Sequence, residues 1–191
     1  LVAHALAMAD RLGIETIGLD ATDQGQSIYA RRGFVAGPPI ERWIADEVTL
    51  KTIQPLSPGS HQSNWIEGMA SLDRKAFGTD RGGLLRVLAS IGWSPETTEL
   101  GYALTRPGKR ANYIGPCVAR TPEIAGNLIA RSLARRSGAW MWDLFPGNAA
   151  TTELAARFGF RPTRRLIRMY RGKPPEGDQR LNHAIAGFEL G

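Results

Sequence analysis

The sequence predicts an α/β (α+β) fold in which strands and helices interleave, and three observations carry that expectation. Apolar residues recur at helical spacing in several stretches, separated by short β-branched runs that read as strands. One strand, loop, helix and Gly-Phe pattern occurs twice. A polar stretch broken by Pro55, Pro58 and Gly59 divides the two occurrences.

Val2, Ala5, Leu6, Ala9 and Leu12 share one helical face, and Gly13 stands where a left-handed C-terminal cap belongs. No Ser, Thr, Asp or Asn precedes this helix and no methionine opens the chain, so upstream residues are expected to be missing. Residues 14–20 read as a strand, residues 21–26 as a polar loop, and IYARRGF as the end of a short helix closed by Gly33. A second strand is expected at 40–45. The polar stretch at 51–63 has linker composition, which divides the chain into 1–50, a linker at 51–63, and 64–191.

Beyond the linker, residues 72–88 show helical spacing interrupted at Gly78 and at Gly82 and Gly83. Two strands, 100–105 and 110–119, flank a Pro107-Gly108 hairpin turn. Thr121, Pro122 and Glu123 then supply an N-cap, a first-position proline and a first-turn acid for a helix ending by Gly138. A strand carrying Asp143, a short helix and a final strand complete the reading.

The repeat consists of IGLDATDQGQSIYARRGF (17–34) and MWDLFPGNAATTELAARFGF (141–160). It aligns Asp20 with Asp143, Tyr29 with Ala155, Gly33 with Gly159 and Phe34 with Phe160. Each copy follows an amphipathic helix, ending at Gly13 or Gly138, which favours duplication over a chance match. Glycine ends each short helix with a left-handed residue and phenylalanine plugs the core beneath it.

Composition narrows the partners. A net charge of +6 suits a polyanion, but the arginines are spread along the chain as on a solvated surface. No helix-turn-helix, zinc or single-strand-binding signature supports nucleic-acid binding. Cys117 is the single cysteine, which excludes an internal disulfide and fits a cytoplasmic protein. His4, His61 and His183 are too scattered for a metal site, and no apolar run reaches the ~20 residues of a membrane span.

Helix, strand, and helix ending in A-R-x-G-F followed by a strand resembles the second half of the GNAT acyltransferase fold. The second part is similar to the C-terminal domain of bacterial tandem GNAT proteins. The similarity lies in LDRKAFGTDR (72–81), GYALTRPGKRANYIGPCVA (101–119), the Asp143 strand, RFGF (157–160) and the closing AGFELG (186–191). The resemblance implies a mixed, mostly antiparallel sheet flanked by helices, with a near-complete second unit and only the C-terminal half of a first. It implies transfer of an acyl group from acetyl-CoA or another acyl-CoA to a small amine, by direct attack in a ternary complex. No metal, nucleic acid or membrane takes part. The alternative is a non-catalytic second unit that binds a ligand, mediates dimerisation or supports an active first unit. A homodimer is expected if the half unit does not pack on its neighbour.

By family position Tyr29 is the thiolate acid of the first unit, or else a tyrosine packed under the Gly33–Phe34 corner. Its second-unit counterpart, Ala155, cannot donate a proton. Gly115, Pro116, Cys117, Val118 and Ala119 form the strand expected to pair with pantetheine. The loop opening the next helix, with Thr121, Gly126 and Asn127, stands where pyrophosphate belongs. It reads A-R-T-P-E-I-A-G rather than the family's glycine-rich loop, and Pro122 removes one N–H. Asp143 and Asn148 are placed either as active-site groups or as loop caps. Asp73, Phe77, Asp80 and Arg81 line an acceptor pocket, or the charged ones among them form a helix-end salt bridge. Cys117 reads as a packed thiol, since no histidine is near it in sequence.

Overall fold

The computed structural model describes residues 2–50 and 64–190, so the expected linker at 51–63 lies outside the described residues. In chain order the first part contains α1 (Val2–Arg11), β1 (Ile17–Ala21), α2 (Asp23–Ala30) and β2 (Val35–Ala45). The rest contains α3 (Trp65–Phe77), α4 (Gly82–Ile91), β3 (Glu96–Thr98), β4 (Gly101–Arg106), β5 (Asn112–Ala119), α5 (Pro122–Ala134), β6 (Trp140–Leu144), α6 (Ala149–Arg157), β7 (Arg161–Arg171) and β8 (Asn182–Ala184).

These strands join into one eight-stranded sheet in the order β1-β7-β2-β6-β5-β4-β3, with β8 against β5. Pairing is antiparallel throughout the described residues except between β5 and β6. The class read from the sequence is therefore the class observed: a mixed, largely antiparallel sheet flanked by helices. Strand alternation explains the layers. Tyr102, Leu104 and Val118 turn to one face, against Met69 and Leu72 of α3 and Leu85 and Leu88 of α4. Ala103, Cys117 and Ala119 turn to the other, against Leu128, Ile129 and Leu133 of α5.

Several boundaries differ from the sequence reading for physical reasons. The first strand starts at Ile17 because the chain up to Ile14, whose N–H donates to the Ala9 carbonyl, is still closing α1. The second begins at Val35, well before residue 40, because β7 supplies hydrogen-bond partners along its length. Pro38 and Pro39 are accommodated at a register shift between Ala36 and Pro39. The interrupted helix at 72–88 is two helices, divided at Gly78 in the left-handed region (φ 88°). β3 and β8, three residues each, carry no periodic signal of their own.

The strands of residues 1–50 join the same sheet as the rest, with β1 at its edge. β2 lies between β6 and β7, and β7 lies between β1 and β2. The exchange has an internal near-symmetry. Ile40 pairs with Leu166, 126 positions later, and the same offset relates Phe34 to Phe160 and Arg42 to Arg168. Both Gly-Phe corners have the same wiring. The Phe34 N–H donates to the Tyr29 carbonyl at 3.2 Å, and that of Phe160 to Ala155 at 3.0 Å. Gly33 (φ 83°) and Gly159 (φ 87°) supply the left-handed residue between them.

Candidate functional site

Two aspartates of the repeat occupy equivalent buried positions on β1 and β6. Across the strand pairing Asp20 faces Arg168, and Asp143 faces Arg42. Arg42 donates from Nε and Nη2 to both Asp143 oxygens, at 2.7 and 2.6 Å. Arg168 does the same to Asp20, at 2.9 and 3.0 Å. Burial pushes the Asp143 carboxyl up while Arg42 pulls it back, and hydrogen bonding to Asp143 holds the Arg42 guanidinium above its ordinary value. By sequence Asp143 is an active-site group or a cap, and the structure places it in this bidentate pair. Sequence reasoning misses the two arginines, although each stands eight residues after its Gly-Phe phenylalanine.

The other expected residues fall into separate places. Asp73 and Arg81 form a buried ion pair at 2.6 Å, and the Tyr102 hydroxyl also donates to Asp73. Arg81 lies 4.0 Å over the Phe77 ring. Asp80 is exposed, accepts from the Gly82 N–H at 2.8 Å and pairs with Arg74. This cluster is the helix-end salt-bridge alternative, and of its members Phe77 lines a cleft. Tyr29 packs edge-on against Phe34 at 6.0 Å, in the cluster with Ala21 and Met169.

β5 and β6 pair in parallel only from Asn112 to Ile114 against Trp140 to Trp142. Beyond that they splay, and β8 enters the gap. Cys117 pairs with Ala184 and Val118 with Asn182. On the β6 side the Ile185 N–H donates to the Asp143 carbonyl at 2.9 Å, and Trp142 Nε1 donates to the His183 carbonyl at 2.8 Å. Asn148 caps α6 and donates from Nδ2 towards the carbonyls of Gln179, Arg180 and Asn182 at 3.2–3.4 Å. Arg106 bridges the carbonyls of Gly115 and Ala186. A Cβ on Gly115 would stand 2.0 Å from the Ile185 oxygen. Pro116, Cys117, Val118 and Ala119 are all buried. Burial pushes the Cys117 thiol far above its ordinary range, so it is inert.

The start of α5 is equally self-satisfied. Thr121 accepts from the Ile124 N–H and Pro122 occupies the first turn. The exposed Glu123 carboxylate is held below its ordinary range by the Thr121 hydroxyl and its own N–H. It places a negative charge where a pyrophosphate would lie. Gly126 faces Leu154 of α6, and Asn127 donates to the Glu123 carbonyl of its own helix. With β8 in place, these residues do not fit the pantetheine and pyrophosphate of an acyl-CoA.

His183 on β8 is fully buried, with Nδ1 2.9 Å from Thr151 Oγ1. Desolvation lowers its pKa to about 4. Between about 6.5 and 4 the unfolded chain therefore binds a proton that the folded chain refuses. Its stabilising contribution is complete above the ordinary value and is lost as pH falls through this window. The urea midpoint is expected to fall from pH 7 to pH 5 more steeply in wild type than in His183→Gln. Parallel profiles would show that His183 is not the group refusing the proton.

A cleft of about 830 Å³ opens beside β1. Its walls are β1 (Gly18 to Asp20), Arg168 and Tyr170 of β7, the turn after α3, the loop 173–176 and the tail 188–190. Gly18 and Gly37 on the neighbouring strands approach the Tyr170 ring, where a Cβ would stand 3.5 and 3.1 Å away. Burial raises the Tyr170 pKa against the lowering influence of Arg168, so the phenol stays protonated. Glu15 and Glu189 add carboxylates to the rim. Among the described residues no group of His, Cys, Asp and Glu could hold a metal ion, and no helix is long and apolar enough to cross a membrane.

A largely antiparallel sheet whose parallel central pair opens after three residues, with helices on both faces, defines an N-acyltransferase fold. The chain belongs to the acetyltransferase (GNAT) domain family, whose model matches residues 69–182. A Pyrococcus horikoshii protein assigned as an acetyltransferase aligns with all of this chain at a TM-score of 0.81 and 24% identity. This chain spans 65% of that protein's length. A Novosphingobium aromaticivorans chain assigned as a GNAT-family acetyltransferase gives a TM-score of 0.54 at 18% identity, over 74% of this chain and 68% of its own. A GCN5-related N-acetyltransferase from Anabaena variabilis gives 0.54 at 14% identity, over 89% of this chain and 49% of its own. At these identities the solved structures share the fold. No curated protein matches the chain.

Proposed function

We propose that this protein serves acyl-CoA-dependent N-acyl transfer to a small amine, by direct attack in a ternary complex centred on the first unit rather than on the β5–β6 groove, and that the cleft beside β1 receives the amine. The cleft itself carries this reading: about 830 Å³ is room for a small molecule, and carboxylates and a protonated phenol converge on it. Glu15 and Glu189 favour a cationic amine, and the Tyr170 hydroxyl oxygen accepts a hydrogen bond from its ammonium. Residues 1–50 are read as the C-terminal half of a first GNAT unit and 64–191 as a second. The 126-residue offset between paired strands supports that division. Ala155 in place of Tyr29 supports the second unit as a supporting module rather than a second reaction centre.

Titration of a panel of primary amines and matched carboxylates, followed by NMR shifts, tests the reading. Amines are expected to shift Gly18 and Tyr170, with affinity falling roughly tenfold in Glu15→Gln and in Tyr170→Phe. Carboxylates binding there in preference to amines would overturn it.

A further inference from the structure

We infer that the opened groove between β5 and β6 is a dock for the chain's own C-terminal segment, with β8 as its intramolecular ligand. The groove is then not a place for acyl-CoA. An extended chain lying between two splayed strands must satisfy donors and acceptors on both sides, and residues 179–186 do so. β8 pairs with the β5 backbone at Cys117 and Val118. The Ile185 N–H reaches the Asp143 carbonyl of β6, and the Trp142 indole reaches the His183 carbonyl. Asn148 and Arg106 hold the carbonyls on either side of β8.

Residues 182–187 are all buried, so the segment is built into the core rather than laid over it. A buried strand whose backbone is paired with fixed partners on both sides is costly to withdraw, because each exposed partner would need a new one. The groove walls are shaped for this occupant. Gly115 leaves room for the Ile185 carbonyl and nothing larger than hydrogen, and Thr151 reaches the His183 ring. At the mouth, Pro122 and the Glu123 carboxylate replace the free N–H groups that a polyphosphate requires. Occupant and entrance therefore point the same way.

The test is amide exchange and indole NMR on the intact chain. With 1 mM acetyl-CoA, about the upper end of ordinary substrate affinities, exchange of the Ile185 amide is expected to stay within about twofold of its free value, and the Trp142 indole resonance to stay in place. That result supports the dock whether or not acetyl-CoA binds elsewhere on the protein. Asn148→Ala, which removes the donor to three tail carbonyls, is expected to speed Ile185 exchange about tenfold. Loss of Ile185 protection in step with acetyl-CoA concentration would overturn the inference, since β8 would then be yielding its place to the cofactor. Unchanged exchange in Asn148→Ala would also count against it. Neither readout depends on whether the cleft beside β1 binds amines.

Discussion

Arg42→Ala is expected to destabilise the fold by about 3–5 kcal/mol, read as a lower urea midpoint at unchanged m-value. The side chain of Asp143 is 1% exposed and that of Arg42 15%, so removing the guanidinium strands a carboxylate with little access to water. The cost lies in that uncompensated charge rather than in a large net value of the pair. A double variant, Arg42→Met with Asp143→Leu, should therefore recover most of the loss. The equivalent Arg168→Ala, which strands Asp20, should behave alike because its pair is just as buried, at 5% and 4%. A loss under about 1 kcal/mol would show that water reaches these carboxylates.

Trp142→Ala is expected to cost a similar 3–5 kcal/mol, for a different reason. The indole is fully buried, meets Phe160 edge-on at 5.4 Å and donates to the His183 carbonyl. Its removal leaves a cavity beneath the Gly-Phe corner of the second repeat and frees β8 from one of its anchors. Trp142→Phe refills most of the space but leaves the carbonyl unpaired, and should cost about 1–3 kcal/mol. If both variants lose the same stability, the hydrogen bond dominates. If Trp142→Phe is neutral, packing does.

Much of the fold is legible because it is written in local patterns. The helical faces of α1 and α5, the Thr121 cap and the two Gly-Phe corners each depend on residues within a few positions of one another. The repeat is visible for the same reason, and its alignment puts Asp20 and Asp143 in equivalent roles from the order of residues alone. The site is harder to read. Asp143 stands out as an acid at a strand end, yet its partner lies 101 residues away on a strand from the other part of the chain.

Local sequence, then, specifies the element types, the recurring strand, helix and corner, and the membership of an acyltransferase family through the order of its motifs. Only tertiary pairing decides that β2 and β7 lie side by side between β1 and β6, that their arginines neutralise the buried aspartates, and that β8 fills the groove between β5 and β6. The physical reason is that strand pairing is chosen by backbone hydrogen bonds, which every residue but proline offers alike. A three-residue strand such as Asn182–Ala184 has too few side chains to announce its neighbour. Its place follows only once the splayed strands around it demand a partner.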